Sequence, residues 1–413
     1  MSNHELLHRL RRDLWQPPRQ HGEIDRQRTV GPLELFYDLV VVVLVAQDAH
    51  RLASNLTWRG VGDFVTIFGV VWIVWFNGTL MHELHGREDI RSRISFLGQI
   101  ALMVPLGGFI QDASGTNGRP FAITAALLLV LIAFLWWRIG RADTDDVYRG
   151  PTRRYILATT VYAALLASSA ALGGEARVAA WAIASVLYLL GVAASFTAMR
   201  GEFTQTVAIT DSLIERFGLL IIIVLGETVT GVVSGLSGDP ANAHRIAVGV
   251  ICVVIGFGSW WTYFDFIGHR YPRNTLGGTG TWLIAHLPVS AAIAAMGATM
   301  PALITHAKDR RAPVAATWIM CSGVAAVLVF MIALMASLDA WANSGRLLRS
   351  LAVANVASAA VAIALAVVRP APLVLVILLN LTFAGPWTFA VIRRAILTPT
   401  EPNLTAQEKD FAK

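Results

Sequence analysis

The residues with chemical potential in this chain are acids set inside apolar runs. Glu227 stands within IIIVLGETVTGVV, Glu215 and Arg216 open that run, and Glu34 and Asp38 open a similar run at 33–50. A charge at the centre of a membrane helix costs roughly 2.5–3.5 kcal/mol on insertion scales. Such a group must be paired, protonated or solvated in a cavity. Three chemistries follow: ion pairing between helices, proton uptake by a carboxyl group shielded from water, and binding of a polar solute.

The spacing gives each group a structural role beside a functional one. Gly31-Pro32-Leu33-Glu34 has the form of an N-cap, a proline in the first turn and a glutamate at the third position, and Ser212-Leu213-Ile214-Glu215 has the form of a capping box. The same two carboxylates would also suit an acidic entrance. Asp38 follows Glu34 by four residues, so both lie on one helix face with Asp38 about 6 Å deeper. Their repulsion calls for a cation. Arg216 is the candidate, either as a salt bridge tying two segments together or as part of a gate. Glu227 follows Glu215 by twelve residues, about 18 Å along a helix and close to the midplane of a ~30 Å core. It is read either as a proton-carrying group or as a protonated clamp on a neighbouring helix. Asn77, Gln99, Asp265 and His286 complete the set, and the whole is expected to line a polar cavity that narrows toward Glu227. His286 titrates near neutrality unless it is a hydrogen-bonded strut, and Pro288 is expected to loosen its helix.

Other motifs carry less. His82, Glu83, His85, Glu88 and Asp89 could bind metal by residue type, but HELH is not the H-E-x-x-H of a zinc hydrolase. A solvated helix end is the expectation there. Asp143, Asp145 and Asp146 read as surface charges, and Gly231 with Gly235 forms a GxxxG that permits close helix approach. Cys252 and Cys321 lie inside apolar segments, with no disulfide or metal spacing. There is no phosphate loop, dinucleotide fingerprint or G-x-S-x-G elbow. No metal and no cofactor are expected. The expected partners are the lipid bilayer, a small solute and protons.

The elements that position these groups are long and apolar. Of 413 residues 55% are hydrophobic and 15% charged, with a mean hydropathy of +0.58. Soluble domains carry about 25% charged residues, so the chain is expected to be an all-α polytopic membrane protein. Twelve stretches of near-spanning length are expected, at 33–52, 61–84, 93–111, 120–140, 154–173, 177–198, 212–235, 245–267, 280–305, 314–337, 349–368 and 371–392. The 30 Arg and 3 Lys lie mainly between apolar stretches, which points to membrane topology rather than nucleic acid. With the N-terminus inside, 23 of the 33 fall on the cytoplasmic side, so both termini are expected there. Residues 1–30 read as a basic leader without a cleavable signal, and 395–413 as a polar tail. Glu34 aligns with Glu215, Asn77 with Asp265 and Gln99 with His286. The expected organisation is therefore two parallel six-helix repeats, 31–200 and 201–394.

LELFYDLVVVVLVAQDAH at 33–50, IERFGLLIIIVLGETVTG at 214–231, WWTYFD at 260–265 and AHLPVSA at 285–291 resemble the bacterial low temperature requirement A family. The resemblance covers 31–394. It implies a polytopic bacterial inner-membrane protein, and it implies no particular reaction. The family's signature acids correspond to Glu34, Asp38, Glu215, Glu227 and Asp265, with Arg216 and His286 beside them. Asp211 departs from the His that the resemblance places four residues before the ERFG-type glutamate. Three functions are open: a secondary transporter or a channel; an enzyme on a lipid-type substrate; and an envelope-homeostasis protein without turnover.

Overall fold

The computed structural model describes residues 19, 28–87, 89–142, 146–198, 209–237, 242–342 and 344–397. They form twelve long helices: α1 Pro32–Ser54, α2 Trp58–His85, α3 Ile90–Ile110, α4 Gly118–Ala142, α5 Asp146–Ser169, α6 Gly174–Ala198, α7 Asp211–Ser237, α8 Ala243–Phe266, α9 Leu276–Thr305, α10 Val314–Ser337, α11 Gly345–Val368 and α12 Pro372–Leu397. Among the described residues there is no strand, only an isolated bridge between Pro272 and Leu338. Ten of the twelve are long and apolar enough to cross a membrane. The other two are α1, which carries Glu34, Asp38, Asp48 and Arg51, and α5, whose first turns carry Arg149, Arg153 and Arg154.

Short polar side chains start these helices. Thr57 accepts from the Gly60 amide, Asp89 from Ser92, Asn242 from Arg245 and Thr275 from Gly278, at 2.9–3.2 Å. Each satisfies an amide that has no partner within its own helix. At α1 the expected cap forms: the Glu34 carboxylate accepts from the Gly31 amide at 3.0 Å, with Pro32 as the first helical residue. At α7 the expected cap does not form. The helix begins one residue earlier, Thr210 accepts from the Leu213 amide at 3.2 Å, and Ser212 turns its hydroxyl elsewhere. Pro288 does not break α9, which runs unbroken to Thr305. Ser290 donates to the His286 carbonyl at 2.7 Å beside the proline.

The packing repeats. Within the first six helices, α1 packs on α2 and α3; α2 packs on α3, α4 and α6; α3 on α4, α4 on α5, and α5 on α6. Every one of these pairings recurs six helices later, from α7 on α8 and α9 to α11 on α12. Across the middle, α1 meets α7 and α9, and α9 also meets α6. α2 is the most enclosed helix, with 94% of its apolar window buried, while only 28% of that of α11 is buried. Apolar side chains such as Leu97, Leu190 and Val353 point outward, as expected where the solvent is lipid.

The tightest crossing is between α7 and α9. A side chain on Gly297 would put its Cβ 2.6 Å from the carbonyl of Glu227, and one on Gly231 would run into the Gly297 carbonyl oxygen. The GxxxG thus acts as read, with its partner glycine on α9.

Candidate functional site

The first turns of α1 and α7 and the last turn of α2 meet at one end of the bundle. Arg216 lies there with no exposed surface, and Asp38 is 3% exposed. Arg216 donates from Nη2 to Asp38 Oδ1 at 2.6 Å and from Nε to Oδ2 at 3.1 Å. This is the planar fork geometry that makes arginine suited to buried carboxylates. Trp75 Nε1 adds a third bond to Asp38 Oδ1 at 2.8 Å. Glu34 stands 3.9 Å from Arg216 Nη1 and accepts from Arg28 at 2.7 Å. Arg28 also pairs with Glu83 at 3.1 Å. The other Glu83 oxygen accepts from the hydroxyls of Thr210, at 2.6 Å, and Ser212, at 2.7 Å. Two arginines and three carboxylates therefore form one chain through α1, α2 and α7, buried except at Arg28, which precedes α1 and is 21% exposed. Low local dielectric strengthens each link and makes any unpaired member expensive.

Glu83 overturns the expectation for 82–89. His82, Glu83, His85 and Asp89 are all buried, at 2–4% exposure, because α3 and α4 pack over the end of α2. His82 stacks on Phe96 at 3.5 Å and His85 sits edge-on to Trp136. Glu88, Asp143 and Asp145 lie outside the described residues. Among the described residues no group of three or more His, Cys, Asp and Glu side chains is arranged to hold a metal.

Four of the remaining candidates, His286, Gln99, Asn77 and Asp265, each tie a pair of helices. His286 is fully buried between Phe217 and Trp282. Its Nδ1 faces the Trp282 carbonyl at 2.6 Å, and a carbonyl only accepts, so the proton sits on Nδ1. Nε2 then accepts from the Tyr263 hydroxyl at 2.9 Å, which links α9 to α8. Gln99 on α3 does the same toward α2. Its amide nitrogen lies 3.3 Å from the Ser95 carbonyl and 2.9 Å from His82 Nε2, which must accept. Asn77 on α2 accepts from Tyr188 on α6 at 2.7 Å and from Tyr155 on α5. Asp265 on α8 accepts from Trp387 on α12 at 2.7 Å, and from Trp261. So positions aligned in the sequence bond across equivalent helix pairs: Gln99 and His286 from third to second, Asn77 and Asp265 from second to sixth. Asp265 and Glu215 are exposed, and Glu215 accepts from the Val30 amide at 3.4 Å. Asp211 accepts from the Tyr271 hydroxyl.

Glu227 is remote from all of these. It is 5% exposed, at the close crossing of α7 and α9, about 24 Å along α7 from Asp211. Thr230 donates to it at 3.4 Å, and His50 of α1, itself exposed, lies within electrostatic range. No arginine or lysine among the described residues is within 4 Å.

Several participants carry no signal in the sequence. Tyr37 is fully buried, its ring 5.9 Å below Arg216. Its hydroxyl closes on Gly78 of α2, where a Cβ would run into it. At the other end of α1, Arg51 bonds Asp48 at 3.1 and 3.2 Å and lies 3.6 Å from Asp63 of α2. Asp48 and Arg51 were readable as charges three residues apart on one helix face, but Asp63 is a tertiary partner.

These features define a class: a helical membrane protein whose charges are turned inward and paired between helices. Residues 29–383 match the family described as bacterial low temperature requirement A protein (LtrA), and the chain belongs to that family. Comparison with curated proteins finds no match.

Proposed function

We propose that the chain is a secondary transporter of a small solute in the bacterial inner membrane, built from two parallel six-helix repeats with twelve crossings and both termini cytoplasmic. The recurrent packing and the equivalent interhelical bonds support the repeat. At 23 and 24 residues, α1 and α5 are about 35 Å long, enough to span a ~30 Å core. The arginine bias supports the orientation.

The observation that carries the reading is where the buried ion network lies. It joins α1 to α7, the leading helices of the two repeats, and it sits at one end of the bundle. Repeat-built transporters rock one half against the other around a central site. A link confined to one end of the seam acts as a gate: it holds that end shut, and it must part or slide when the halves rock. Glu227, on the same α7 but well beyond the network, is the proton-coupling group of this proposal. It is buried, lies within electrostatic range of His50 on α1, and among the described residues has no arginine or lysine within 4 Å.

The test is transport into liposomes that carry an internal pH dye, with pooled small metabolites supplied under an imposed pH gradient. Proton flux that needs both a metabolite pool and Glu227 is the expected result. Glu227→Gln that folds normally and transports unchanged at every pH removes Glu227 from coupling. Silence of well-folded wild type under all pools and gradients refutes transport. A second reading, a membrane scaffold without turnover, is favoured by one observation: Asn77, Gln99 and His286 are all engaged in interhelical bonds. It predicts that silence, together with loss of thermal stability in the same variants.

A further inference from the structure

The end of the bundle opposite the ion network holds a second set of charges, and these do not balance. Asp48 and Arg51 lie in the last two turns of α1, and Asp63 in the second turn of α2. Their exposures are 1%, 7% and 9%, so all three are shielded from water. Arg51 donates from Nε at 3.2 Å and from Nη2 at 3.1 Å, and both bonds go to one oxygen, Asp48 Oδ1. Its Nη1 stands 3.6 Å from Asp63 Oδ2. The second Asp48 oxygen, Oδ2, is buried and accepts no hydrogen bond. The Phe68 amide near it is held within α2. Two carboxylates thus share one guanidinium, and the surplus charge falls on the oxygen that nothing satisfies.

The surroundings do not restore the balance. Arg51 and Asp63 are the charged groups that act most on Asp48. No other arginine or lysine among the described residues comes within 4 Å of either carboxylate. Arg59, one turn before Asp63, pairs with Glu175 of α6 at 2.5 Å. Arg177 of α6 donates to the Leu172 carbonyl at 2.6 Å, and Arg119 at the start of α4 is exposed. α3 and α9 also pack on α1. The charges of α3 are Arg91 and Arg93, in its first turn at the network end, and the titratable group of α9 is His286. α7 brings Glu227, whose charged neighbour is the exposed His50.

A buried carboxylate without a counter-charge neutralises itself by taking up a proton, and where two carboxylates share a site they cannot both ionise freely. Asp63 gives water access to the pair. With Arg59, Thr66 and Glu175 it lines a wide-mouthed recess between α2 and α6, of about 680 Å³ with the mouth counted. We propose that Asp48 and Asp63 bind one proton between them, carried on Asp48, and that it exchanges with water in this recess. With the proton bound, Asp48, Asp63 and Arg51 are together neutral and hold α1 to α2. Loss of the proton leaves one buried negative charge and weakens that hold, so the pH at this face sets how firmly the far end of α1 is clamped. The site rests on the charge count at this end and is independent of Glu227 and of transport.

The experiment uses the full chain in nanodiscs. Infrared difference spectra read the carbonyl stretch of protonated carboxyl groups from about pH 5 to 9, where an unperturbed aspartate is ionised. Isotope-labelled aspartate separates this signal from that of the glutamates. Wild type is expected to show one protonated aspartate, which Asp48→Asn removes and Glu227→Gln leaves in place. In Asp63→Asn the signal should be lost at a pH about 1–3 units lower, because the repelling charge is gone and Arg51 serves Asp48 alone. Asparagine at 48 mimics the protonated carboxyl, so Asp48→Asn should melt close to wild type at about pH 6. Wild type should lose stability as pH rises and the proton leaves, while Asp48→Asn keeps its midpoint. An ordinary salt bridge predicts no protonated aspartate in wild type and a large drop in the midpoint of Asp48→Asn. Either result overturns the proposal, as does an unchanged pH of signal loss in Asp63→Asn. If Asp48→Asn does not fold, the shift in Asp63→Asn decides alone. Loss of the signal on adding sodium chloride but not choline chloride also overturns it, and would assign the unsatisfied oxygen to a metal cation.

Discussion

Arg216 and Asp38 offer a quantitative test of how the buried network holds the bundle. Removing one partner of a buried ion pair leaves an uncompensated charge and costs about 3–5 kcal/mol. The two single substitutions should differ, because the survivors have different company. In Arg216→Met, Asp38 keeps only the Trp75 indole, 2.8 Å away, and faces Glu34 with no arginine between them. This variant belongs at the upper end, about 4 kcal/mol. In Asp38→Asn, Arg216 keeps Glu34 at 3.9 Å and an amide oxygen in place of one carboxylate oxygen. About 2 kcal/mol is expected. The double variant removes both charges, leaves a neutral pair of similar volume, and should cost only about 1–2 kcal/mol. The cycle then yields a coupling of roughly 4 kcal/mol. Reversible unfolding in mixed micelles, followed by tryptophan fluorescence, measures it. A coupling below about 0.5 kcal/mol would refute the claim that this pair acts as a unit. A less stable Asp38→Asn than Arg216→Met would refute the part given to Glu34.

Other outcomes follow from the same geometry. Gly297→Ala places a methyl group 2.6 Å from the backbone of Glu227, so α9 must move away from α7; a loss of about 1–3 kcal/mol is expected. Gly226→Ala meets nothing within 4 Å and should be neutral or stabilising by up to about 1 kcal/mol; thermal melts of the two variants side by side test the contrast. Glu83→Ala deprives Arg28, Thr210 and Ser212 of one acceptor group, and should cost about 2–4 kcal/mol in the same unfolding assay. Glu83→Gln should recover part of it. In the loop between α3 and α4, the Asp112 carboxyl is held below its ordinary pKa by hydrogen bonds from the Thr116 hydroxyl and amide. A lowered pKa means that these bonds stabilise the loop above the unfolded carboxyl's pKa, ~3.9, and are lost as pH falls through the lower folded value. Amide exchange at Thr116, corrected for its intrinsic rate, should show protection fading only at acid pH, and Asp112→Asn should remove that dependence.

The helices were legible because a membrane span is a local property. Twenty apolar residues must satisfy their own backbone, and each expected stretch overlaps one helix, with ends that agree to about five residues except at α5, which begins at Asp146 rather than at 154. The partnership of Asp38 with Arg216 was also legible, since two acids one turn apart on an apolar face require a cation and few were at hand. What stayed hidden depends on tertiary packing. His82, Glu83 and His85 look like any polar helix end until α3 and α4 cover them. Tyr37 looks like an interfacial aromatic until Gly78 is found beneath its hydroxyl. Gly297, in AAMGATM, has no motif at all, although it sets the approach of α7 to α9. The interhelical partners of Asn77, Gln99, Asp265 and His286 stayed hidden for a related reason: depth can be read from residue number, but direction around a helix axis needs the neighbours.

α1 shows why composition and position in the bundle must be read together. It fails the apolarity test that ten other helices pass, yet it packs on α2, α3, α7 and α9 at the middle of the structure. Its charges are the reason for both facts. Glu34 and Asp38 are matched by Arg28 and Arg216 at one end, and Asp48 and Asp63 share Arg51 at the other. A helix so charged is disfavoured against lipid and stable only where neighbours supply the counter-charges. Peripheral helices such as α11 face the opposite constraint and are nearly free of charge along their length. The central placement of α1 thus follows from its acids, and the seam it forms with α7 holds the Asp38–Arg216 pair with Glu34 beside it.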